Sequence, residues 1–211
     1  KHSNNLPAGV DVIEASLSPQ QDWITALSDV SSIVHCAARV HVMNEDAGDP
    51  LTEFRRVNVD GTLRLARQAA EAGVLRFVFV SSIKVNGEHS QPGHPFTADE
   101  IPAPGEPYGV SKCEAEAGLR ALSQETGMEV VIIRPPLVYG PGVKANFLAM
   151  MRWLQRGVPL PLGGVTDNRR SLVFLDNLVD LIVTCIEHPA AANQTFLVSD
   201  DDDLSTAALL K

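Results

Sequence analysis

Residues 75–82, with the sequence LRFVFVSS, decide the fold class of this chain. The run from Leu75 to Val80 is almost wholly apolar, which indicates a buried strand of a parallel sheet. Two hydroxyl residues, Ser81 and Ser82, follow directly. Open α/β sheets bind their ligands outside the carboxyl ends of their strands. The stretch therefore predicts both a central strand and a ligand-binding edge.

Segments with the patterns of strands and helices alternate along the chain, on both sides of this strand. The alternation predicts an α/β fold, a Rossmann-like doubly wound parallel sheet with right-handed crossovers. The predicted strands are residues 10–15, 32–36, 75–81, 129–134, 172–175 and 195–199. The predicted helices are residues 23–27, 51–72, 108–126, 145–156 and 177–187. Residues 87–107 form a loop that is long for a compact domain, and such loops are often functional.

The segment YGVSK at residues 108–112 places Tyr108 and Lys112 one turn apart on the same face of a helix. Pro107 suits a helix start, so Tyr108 is expected in the first turn. A free phenol has a pKa of about 10, and a nearby ammonium and the positive helix N-terminus both favour its ionised form. The pair is equipped to move a proton on and off an alcohol during hydride transfer. An ordinary pair on an exposed helix is the alternative.

The order of short motifs along the chain resembles that of the extended short-chain dehydrogenase/reductase family. Within that family the chain is most similar to the type of UDP-glucose 4-epimerase, with the related nucleotide-sugar dehydratases and 4-keto reductases. The resemblance runs from about residue 10 to residue 210. The motifs that carry it are HCAA at residues 35–38, NVDGT at 58–62, SS at 81–82, VNG at 85–87, YGVSK at 108–112, RPPLVYGPG at 134–142 and NRRS at 168–171.

The resemblance implies a catalytic set of Tyr108, Lys112 and Ser82. Tyr108 would be the general acid/base, Lys112 would lower the pKa of its phenol and bind ribose hydroxyls, and Ser82 would hydrogen-bond the reacting oxygen. A strand-end hydroxyl that caps a turn is the alternative for Ser82. For substrate binding the resemblance implies Ser82, with Asn146 and Arg170 near the nucleotide diphosphate, because a guanidinium suits phosphate. A surface charge is the alternative for Arg169, which we do not separate from Arg170.

The resemblance also implies a cofactor, NAD or NADP. The residues expected to bind it are Cys36, Ala37, Ala38, Asn58, Ser81, Tyr108, Lys112 and Pro135. Small residues after a strand allow close approach of the dinucleotide, although tight packing would explain them equally well. Asn58 lies inside a predicted helix, where asparagine is unfavourable. Its side chain is expected to hold a backbone group near the catalytic helix, and mere exposure is the alternative.

Three positions depart from the family pattern. Ser16-Leu17 stands where many members have Asp-Leu or Asp-Ile beside the adenine, Asn86 replaces a tyrosine, and Leu137 replaces an asparagine that contacts the sugar nucleotide in epimerases. Three functions therefore stay open. The first is oxidoreduction at C4 of a nucleotide sugar, as an epimerase or a 4-keto reductase. The others are a reductase of a non-sugar ketone or alcohol, and a non-catalytic dinucleotide-binding protein.

The chain contains no Gly-rich turn of the kind that holds a dinucleotide pyrophosphate at a helix N-terminus. We therefore expect a fragment that lacks the first βαβ unit and a C-terminal part. Residues 1–142 are predicted to form the dinucleotide-binding domain, and residues 143–211 are predicted to be mostly a substrate-binding portion.

The composition of the chain argues against several classes of partner. A net charge of −9 argues against a nucleic-acid partner, and no apolar run approaches the ~20 residues that span a bilayer. The three cysteines lack metal spacing and the acidic run at residues 200–203 lacks that of an EF-hand, so no metal is predicted. Reduced thiols suit the cytoplasm.

A homodimer is expected, because helices 51–72 and 108–126 carry more small and apolar residues than are needed to cover the sheet. These residues are Ala66, Ala69 and Ala70 on the first helix, and Ala115, Ala117 and Leu119 on the second.

Overall fold

Parallel strands in two sheets organise the protein, seen in a computed structural model that describes residues 9–40, 49–143, 148, 151–153, 155–156 and 164–210. In chain order the strands are β1 (Ser32–His35), β2 (Arg76–Val80), β3 (Glu129–Arg134), β4 (Leu137–Tyr139), β5 (Leu172–Phe174) and β6 (Thr195–Leu197). The main sheet has the order β1-β2-β3-β6, all parallel, and β4 pairs with β5 in a second sheet. This arrangement confirms the predicted α/β class.

Helices cover both faces of the main sheet. The α-helices are α1 (Pro50–Phe54), α2 (Thr62–Glu71), α3 (Pro107–Thr126), α4 (Leu175–Glu187) and α5 (Thr206–Leu209). Alternate residues of β2 point to opposite faces, so Phe77 and Phe79 lie in one core with residues of α2 and α3. Val78 lies in a second core with residues of α4. A sheet with a core on each face is the doubly wound architecture, and it explains why β2 is apolar from Phe77 to Val80.

The predicted helix at 51–72 is present, but its middle is wider than an α-helix. It begins at Pro50, with the Asp49 carboxylate accepting a hydrogen bond from the Leu51 amide at 3.1 Å. Between α1 and α2 runs a π-helical segment, Arg55–Gly61. Wide turns of this kind are often found at functional sites, and this one contains Asn58.

Helix α3 has the boundaries that the sequence predicts. Pro107 is its first residue, where its missing amide hydrogen costs nothing. The helix ends at Gly127, whose φ of 76° is left-handed and is adopted most readily by glycine. Tyr108 therefore lies in the first turn, as expected.

Chain beyond residue 142 also contributes to the main sheet. Helix α4 packs against the main sheet, and β6 pairs with β3 in it, although both lie beyond residue 142. The four-strand sheet is therefore completed by chain that the sequence assigns mostly to substrate binding. The division of the chain into a dinucleotide-binding domain and a substrate-binding portion stays a prediction.

Several predicted elements need correction. Residues 10–15 form no strand, and Val10, Val12 and Ile13 are exposed, because no described strand lies beside them to pair with their backbone. The predicted helix 23–27 is a single 3₁₀ turn, Ile24–Leu27. Half of the predicted helix 145–156 lies outside the described residues, and residues 148, 151–153 and 155 of the other half are helical. At the chain end, the Ser205 hydroxyl caps α5 by accepting from the Ala208 amide at 3.1 Å.

Candidate active site

The carboxyl ends of β1, β2 and β3 bring three predicted segments to one edge of the sheet. Because these strands are parallel, Cys36–Ala38, Ser81–Ser82 and Pro135 all follow strands at the same edge. The Ile83 amide donates to the Pro135 carbonyl at 3.0 Å, which joins two of the segments directly. Cys36 and Ala37 are exposed, whereas Ser81 and Pro135 are buried. The edge offers small side chains at its surface and polar groups beneath.

Tyr108 stands at the start of α3, half-buried against Phe54. The two rings meet edge to face with centroids 6.1 Å apart. Burial raises the pKa of the Tyr108 phenol. The sequence predicts the opposite direction, from Lys112 and the helix N-terminus, but burial is the cause that sets the shift of this phenol. The phenol therefore carries its proton at neutral pH in this structure.

Lys112 extends along the buried underside of the site. Its side chain is 2% exposed, its Nζ donates to the Val80 carbonyl at 2.9 Å, and the ammonium lies 4.4 Å from the centre of the Phe79 ring. Burial lowers the pKa of Lys112 from 10.5 to about 8, an effect that Cys36 and Glu116 partly oppose. The ammonium is thus fixed at the end of β2, two residues before Ser82.

Gly109 lets α3 approach the turn that follows Ser82. A Cβ atom added at Gly109 would lie 2.9 Å from the Lys84 carbonyl oxygen and 3.2 Å from Pro104 Cβ. Backbone at 2.9 Å cannot move aside as a flexible side chain can, so any larger residue would push the helix away. The glycine in the YGVSK motif therefore sets the separation between Tyr108 and the Ser82 turn.

Ser82 caps that turn. Its Oγ accepts a hydrogen bond from the Lys84 amide at 3.2 Å at the start of the 3₁₀ turn Ile83–Val85. A hydroxyl that accepts from an amide keeps its own proton to donate. The capping role that the sequence left as an alternative is thus compatible with donation to a reacting oxygen.

Asn58 ties the segment after β1 to the catalytic helix. It is 1% exposed, which excludes the alternative of a surface residue. Its Oδ1 accepts from the Arg39 amide at 2.8 Å, and its Nδ2 donates to the Arg39 carbonyl and to Ser111 Oγ at 3.1 and 3.0 Å. The Ser111 hydroxyl donates in turn to the Tyr108 carbonyl at 2.8 Å. Contact of Asn58 with a cofactor stays a prediction.

A buried charged network lies beneath the strand ends, and sequence reasoning missed it. Arg134 donates through Nε and Nη2 to the two oxygens of Glu116 at 3.0 and 2.7 Å. Ser81 Oγ donates to Glu116 Oε1 at 2.6 Å, and Arg134 Nη1 donates to Asn86 Oδ1 at 3.0 Å. The only sequence signal is that Glu116 lies one turn beyond Lys112 on the same helix face. The hydroxyl of Ser81 therefore serves this network, and its cofactor contact remains a prediction.

His35 is a second residue that the sequence did not single out as a site residue. It is buried, stacks on the Phe79 ring, and its Nε2 lies 2.9 Å from Thr62 Oγ1. Burial, and secondarily the Lys112 charge, lower the pKa of His35 to about 4. The ring is therefore neutral at physiological pH, which avoids a second positive charge below the site.

Of the residues predicted to bind the nucleotide diphosphate, the structure describes only Arg170 and its neighbour Arg169. Arg169 and Arg170 are exposed, and the backbone of Arg170 pairs with Leu204 as an antiparallel bridge. Asn146 lies outside the described residues. The structure therefore brings Ser82, Tyr108 and Lys112 together, and Arg170 keeps an exposed side chain that a ligand can reach.

Two carboxylates of the acidic run at 200–203 accept side-chain hydrogen bonds, and one of them is Asp203, which accepts from Ser171 Oγ at 2.7 Å. The Asp200 carboxylate accepts from Tyr139 Oη at 2.8 Å, from Asn177 Nδ2 at 2.8 Å and from the Phe174 amide. These hydrogen bonds, led by that of Asn177, lower the pKa of Asp200. Among the described residues no group of three or more His, Cys, Asp or Glu side chains could hold a metal ion. No helix in the described part of the chain is long and apolar enough to cross a membrane.

The strand-end residues fit the nicotinamide end of a dinucleotide. An ammonium has three N–H donors; one from Lys112 goes to the Val80 carbonyl, which leaves donors for ribose hydroxyls. Cys36 and Ala37 present small exposed side chains beside it.

Known proteins resemble the chain along its whole length. A UDP-glucose 4-epimerase from Vibrio cholerae is 52% identical over 211 residues, 100% of this chain and 64% of that protein. The chain thus spans less than two thirds of the length of that relative. Two solved structures superpose on the chain with a TM-score of 0.75. The first is MoeE5 in complex with UDP-glucose and NAD, which is 25% identical and matches 92% of this chain and 64% of that chain. The second is a double mutant of the dTDP-glucose 4,6-dehydratase DesIV from Streptomyces venezuelae with NAD bound, which is 30% identical and matches 89% of this chain and 57% of that chain.

The family itself follows from a broader match. The model of the NAD dependent epimerase/dehydratase family matches residues 1–199. That span contains every motif on which the resemblance to extended short-chain dehydrogenases/reductases rests, so the resemblance is confirmed. This chain belongs to the NAD dependent epimerase/dehydratase family.

Proposed function

We propose that this chain carries the catalytic centre of a UDP-sugar 4-epimerase that oxidises and reduces C4 of its substrate with NAD. The observation that carries the proposal is the position of Lys112, whose ammonium is buried at the carboxyl end of β2, one helical turn from Tyr108 and two residues from Ser82. The Vibrio cholerae relative, 52% identical and named a UDP-glucose 4-epimerase, supports the sugar nucleotide as substrate.

The three side chains divide the proton chemistry between them. When bound, NAD would supply the hydride acceptor and donor for the C4 carbon. The Tyr108 phenolate oxygen takes the proton of the C4 hydroxyl and later returns it. Burial raises the pKa of this phenol, and the role that we propose for Lys112, one helical turn away, is to oppose that rise when the substrate hydroxyl reaches Tyr108. The Ser82 hydroxyl donates to the C4 oxygen and steadies the charge that develops there.

Arg170 is our candidate for the nucleotide diphosphate, since its guanidinium is exposed and suited to two parallel hydrogen bonds with phosphate. Asn146 is proposed beside it. An apolar ketone needs no such group, so these residues favour a nucleotide sugar over a non-sugar substrate.

A 4-keto reductase is the second candidate, and Leu137 is the observation that favours it. Its side chain is 45% exposed and cannot hydrogen-bond a sugar where epimerases of the family have asparagine. An epimerase must reposition its keto intermediate and keep its cofactor, whereas a reductase uses one hydride and releases the cofactor.

The two candidates are separated by incubating the intact protein with UDP-glucose and no added NAD(P)H, and following the sugar by NMR. The proposal predicts conversion to the 4-epimer until both sugars coexist at equilibrium. Turnover of a 4-keto sugar that requires added NADH or NADPH, with no epimer formed, would contradict the epimerase and support the reductase.

We further propose that the enzyme is a homodimer and works in the cytoplasm. The support for the second statement is that Cys36, Cys113 and Cys185 are all free thiols, as expected in a reducing compartment.

A further inference from the structure

Asn86 is held from two sides at the end of the turn that begins with Ser82. It is 4% exposed, and its amide donates to the Ile83 carbonyl at 2.9 Å, which closes the 3₁₀ turn. Its side chain then makes two hydrogen bonds in different directions. Oδ1 accepts from Arg134 Nη1 at 3.0 Å, and Nδ2 donates to the Thr97 carbonyl at 2.7 Å.

The first of these hydrogen bonds leads into the protein interior. Arg134 and Glu116 form a two-pronged ion pair, 1% and 0% exposed, between β3 and α3. A buried ion pair with both partners satisfied is a rigid anchor, because any displacement leaves a charge without a partner. Asn86 is therefore fixed relative to the helix that carries Tyr108 and Lys112.

The second hydrogen bond leads outward, into the long loop between β2 and α3. That loop is also held by the Ala103 amide, which donates to the Val85 carbonyl at 3.1 Å. Phe96 packs close to Gly87, with its Cζ 3.4 Å from the position of an added Cβ. The loop thus folds back over the Ser82 turn, and Asn86 is the side chain that joins it to the interior.

We propose that Asn86 is a positioning residue: by bridging the buried Arg134–Glu116 pair and the Thr97 carbonyl, it holds the Ser82 turn against the start of α3, so that the hydroxyls of Ser82 and Tyr108 address the same substrate oxygen. The inference rests on the proposed function. Asn86 is buried beneath the turn and acts through Ser82 rather than on the substrate. The family pattern has a tyrosine at this place.

The test is a double-mutant cycle in the intact enzyme, with Asn86→Leu, Ser82→Ala and the double variant, assayed for kcat and for the KM of UDP-glucose. Asn86→Asp is the milder variant. It keeps an acceptor for Arg134 and loses the donor to Thr97, which separates the inner contact from the outer one. Asn193→Asp is the matched control, because its acceptor contacts to Ser123 and Val130 survive the change and lie at the other end of β3.

One net hydrogen bond corresponds to a factor of about 2–12 in an equilibrium or rate. We expect Asn86→Leu to lower kcat about tenfold and Asn86→Asp about threefold, with KM and the melting temperature of Asn86→Asp little changed. In the Ser82→Ala background the same changes should lower kcat by less than about twofold, because the group they position is gone. Asn193→Asp should match the wild type.

Equal losses of kcat in both backgrounds, or no loss from either Asn86 variant, would overturn the inference while leaving the proposed function intact. If Asn86→Leu does not fold, the Asn86→Asp pair gives the same decision. A wild-type enzyme that does not epimerise UDP-glucose, or one whose kcat is unaffected by Ser82→Ala, would instead overturn the proposed function, and the inference with it.

Discussion

Lys112 is charged at neutral pH although its buried surroundings disfavour charge. The free energy of unfolding should therefore depend on pH in the range where this lysine titrates. Its pKa in the folded chain is about 8, against 10.5 for an ordinary lysine. Between these two values the unfolded chain binds the proton and the folded chain does not. Stability contributed by this group therefore rises as pH increases from about 8 to about 10.5, is lost again as pH falls from 10.5 to 8, and does not change further below 8.

Replacement of Lys112 by Met should abolish that rise. Below pH 8 the variant gains stability over the wild type because no charge is buried, and the gap should shrink by about 3 kcal/mol as the pH reaches 10.5, since each pKa unit is worth about 1.4 kcal/mol. Urea unfolding of both proteins at pH 7 and pH 10 checks this. A stability gap that is the same at both pH values would show that Lys112 titrates normally.

Arg170 offers a test in which its neighbour is the control. We expect Arg170→Ala to weaken UDP binding at least tenfold and NAD binding by less than twofold, because one charge-assisted contact to phosphate is worth about 1.5–3 kcal/mol. Arg169→Ala removes the same charge from the adjacent exposed position. Calorimetric titration with both ligands decides; equal effects of the two variants would mean that only general charge matters.

The start of α3 is where a small change in one element should disturb catalysis. Gly109→Ala forces its new methyl group against the Lys84 carbonyl oxygen at 2.9 Å, so the helix must retreat from the Ser82 turn. We expect kcat to fall at least tenfold, because catalytic groups tolerate little misplacement. Gly118→Ala is the control in the same helix, since the nearest atoms to its methyl group belong to the Leu63 side chain rather than to backbone. Equal kcat values in the two variants would remove Gly109 from the site geometry.

Helices and strands with a strong local sequence pattern could be predicted. Those that depend on contacts with distant segments of the chain could not. Strand β2 and helix α3 are visible in the sequence because a continuous apolar run, Pro107 and Gly127 act locally. The strand predicted at 10–15 fails because a strand needs a neighbouring backbone, which no periodicity reveals. The π-helical segment Arg55–Gly61 is likewise hidden, since its widening serves the contacts of Asn58 with Arg39 and Ser111.

At the scale of the whole molecule, the residues proposed to be catalytic stand out in the sequence, whereas the buried network beneath them does not. Tyr108, Lys112 and Ser82 stand in recognisable motifs. Arg134 and Glu116, which join β3 to α3, lie 18 residues apart in the sequence. Asn86, which accepts a hydrogen bond from Arg134, lies 48 residues from Arg134. Contacts of that separation exist only once the sheet has formed, so no local pattern predicts them.

Fewer residues support the homodimer prediction in the structure than in the sequence. Ala66, Ala69, Ala115 and Leu119 lie in the protein's own core, where they cannot contact a partner. Of the small residues named on α2 and α3, Ala117 remains exposed. We predict that the intact enzyme is a dimer by light scattering at micromolar concentration and that Ala117→Arg shifts it to monomer. A wild-type monomer would refute the prediction, and a dimer unaffected by Ala117→Arg would place the interface elsewhere.

The most direct test of the account is the rate of UDP-glucose epimerisation by Tyr108→Phe. The chain has two tyrosines, so Tyr139→Phe, which removes the hydroxyl that donates to Asp200, is the matched control. Loss of general acid–base catalysis should lower kcat by about 10²–10⁴-fold in Tyr108→Phe, with NAD affinity unchanged because the ring still packs on Phe54. Tyr139→Phe should retain most of its activity. Retention of more than about a tenth of the wild-type kcat by Tyr108→Phe would contradict the role of this phenol and the mechanism built on it.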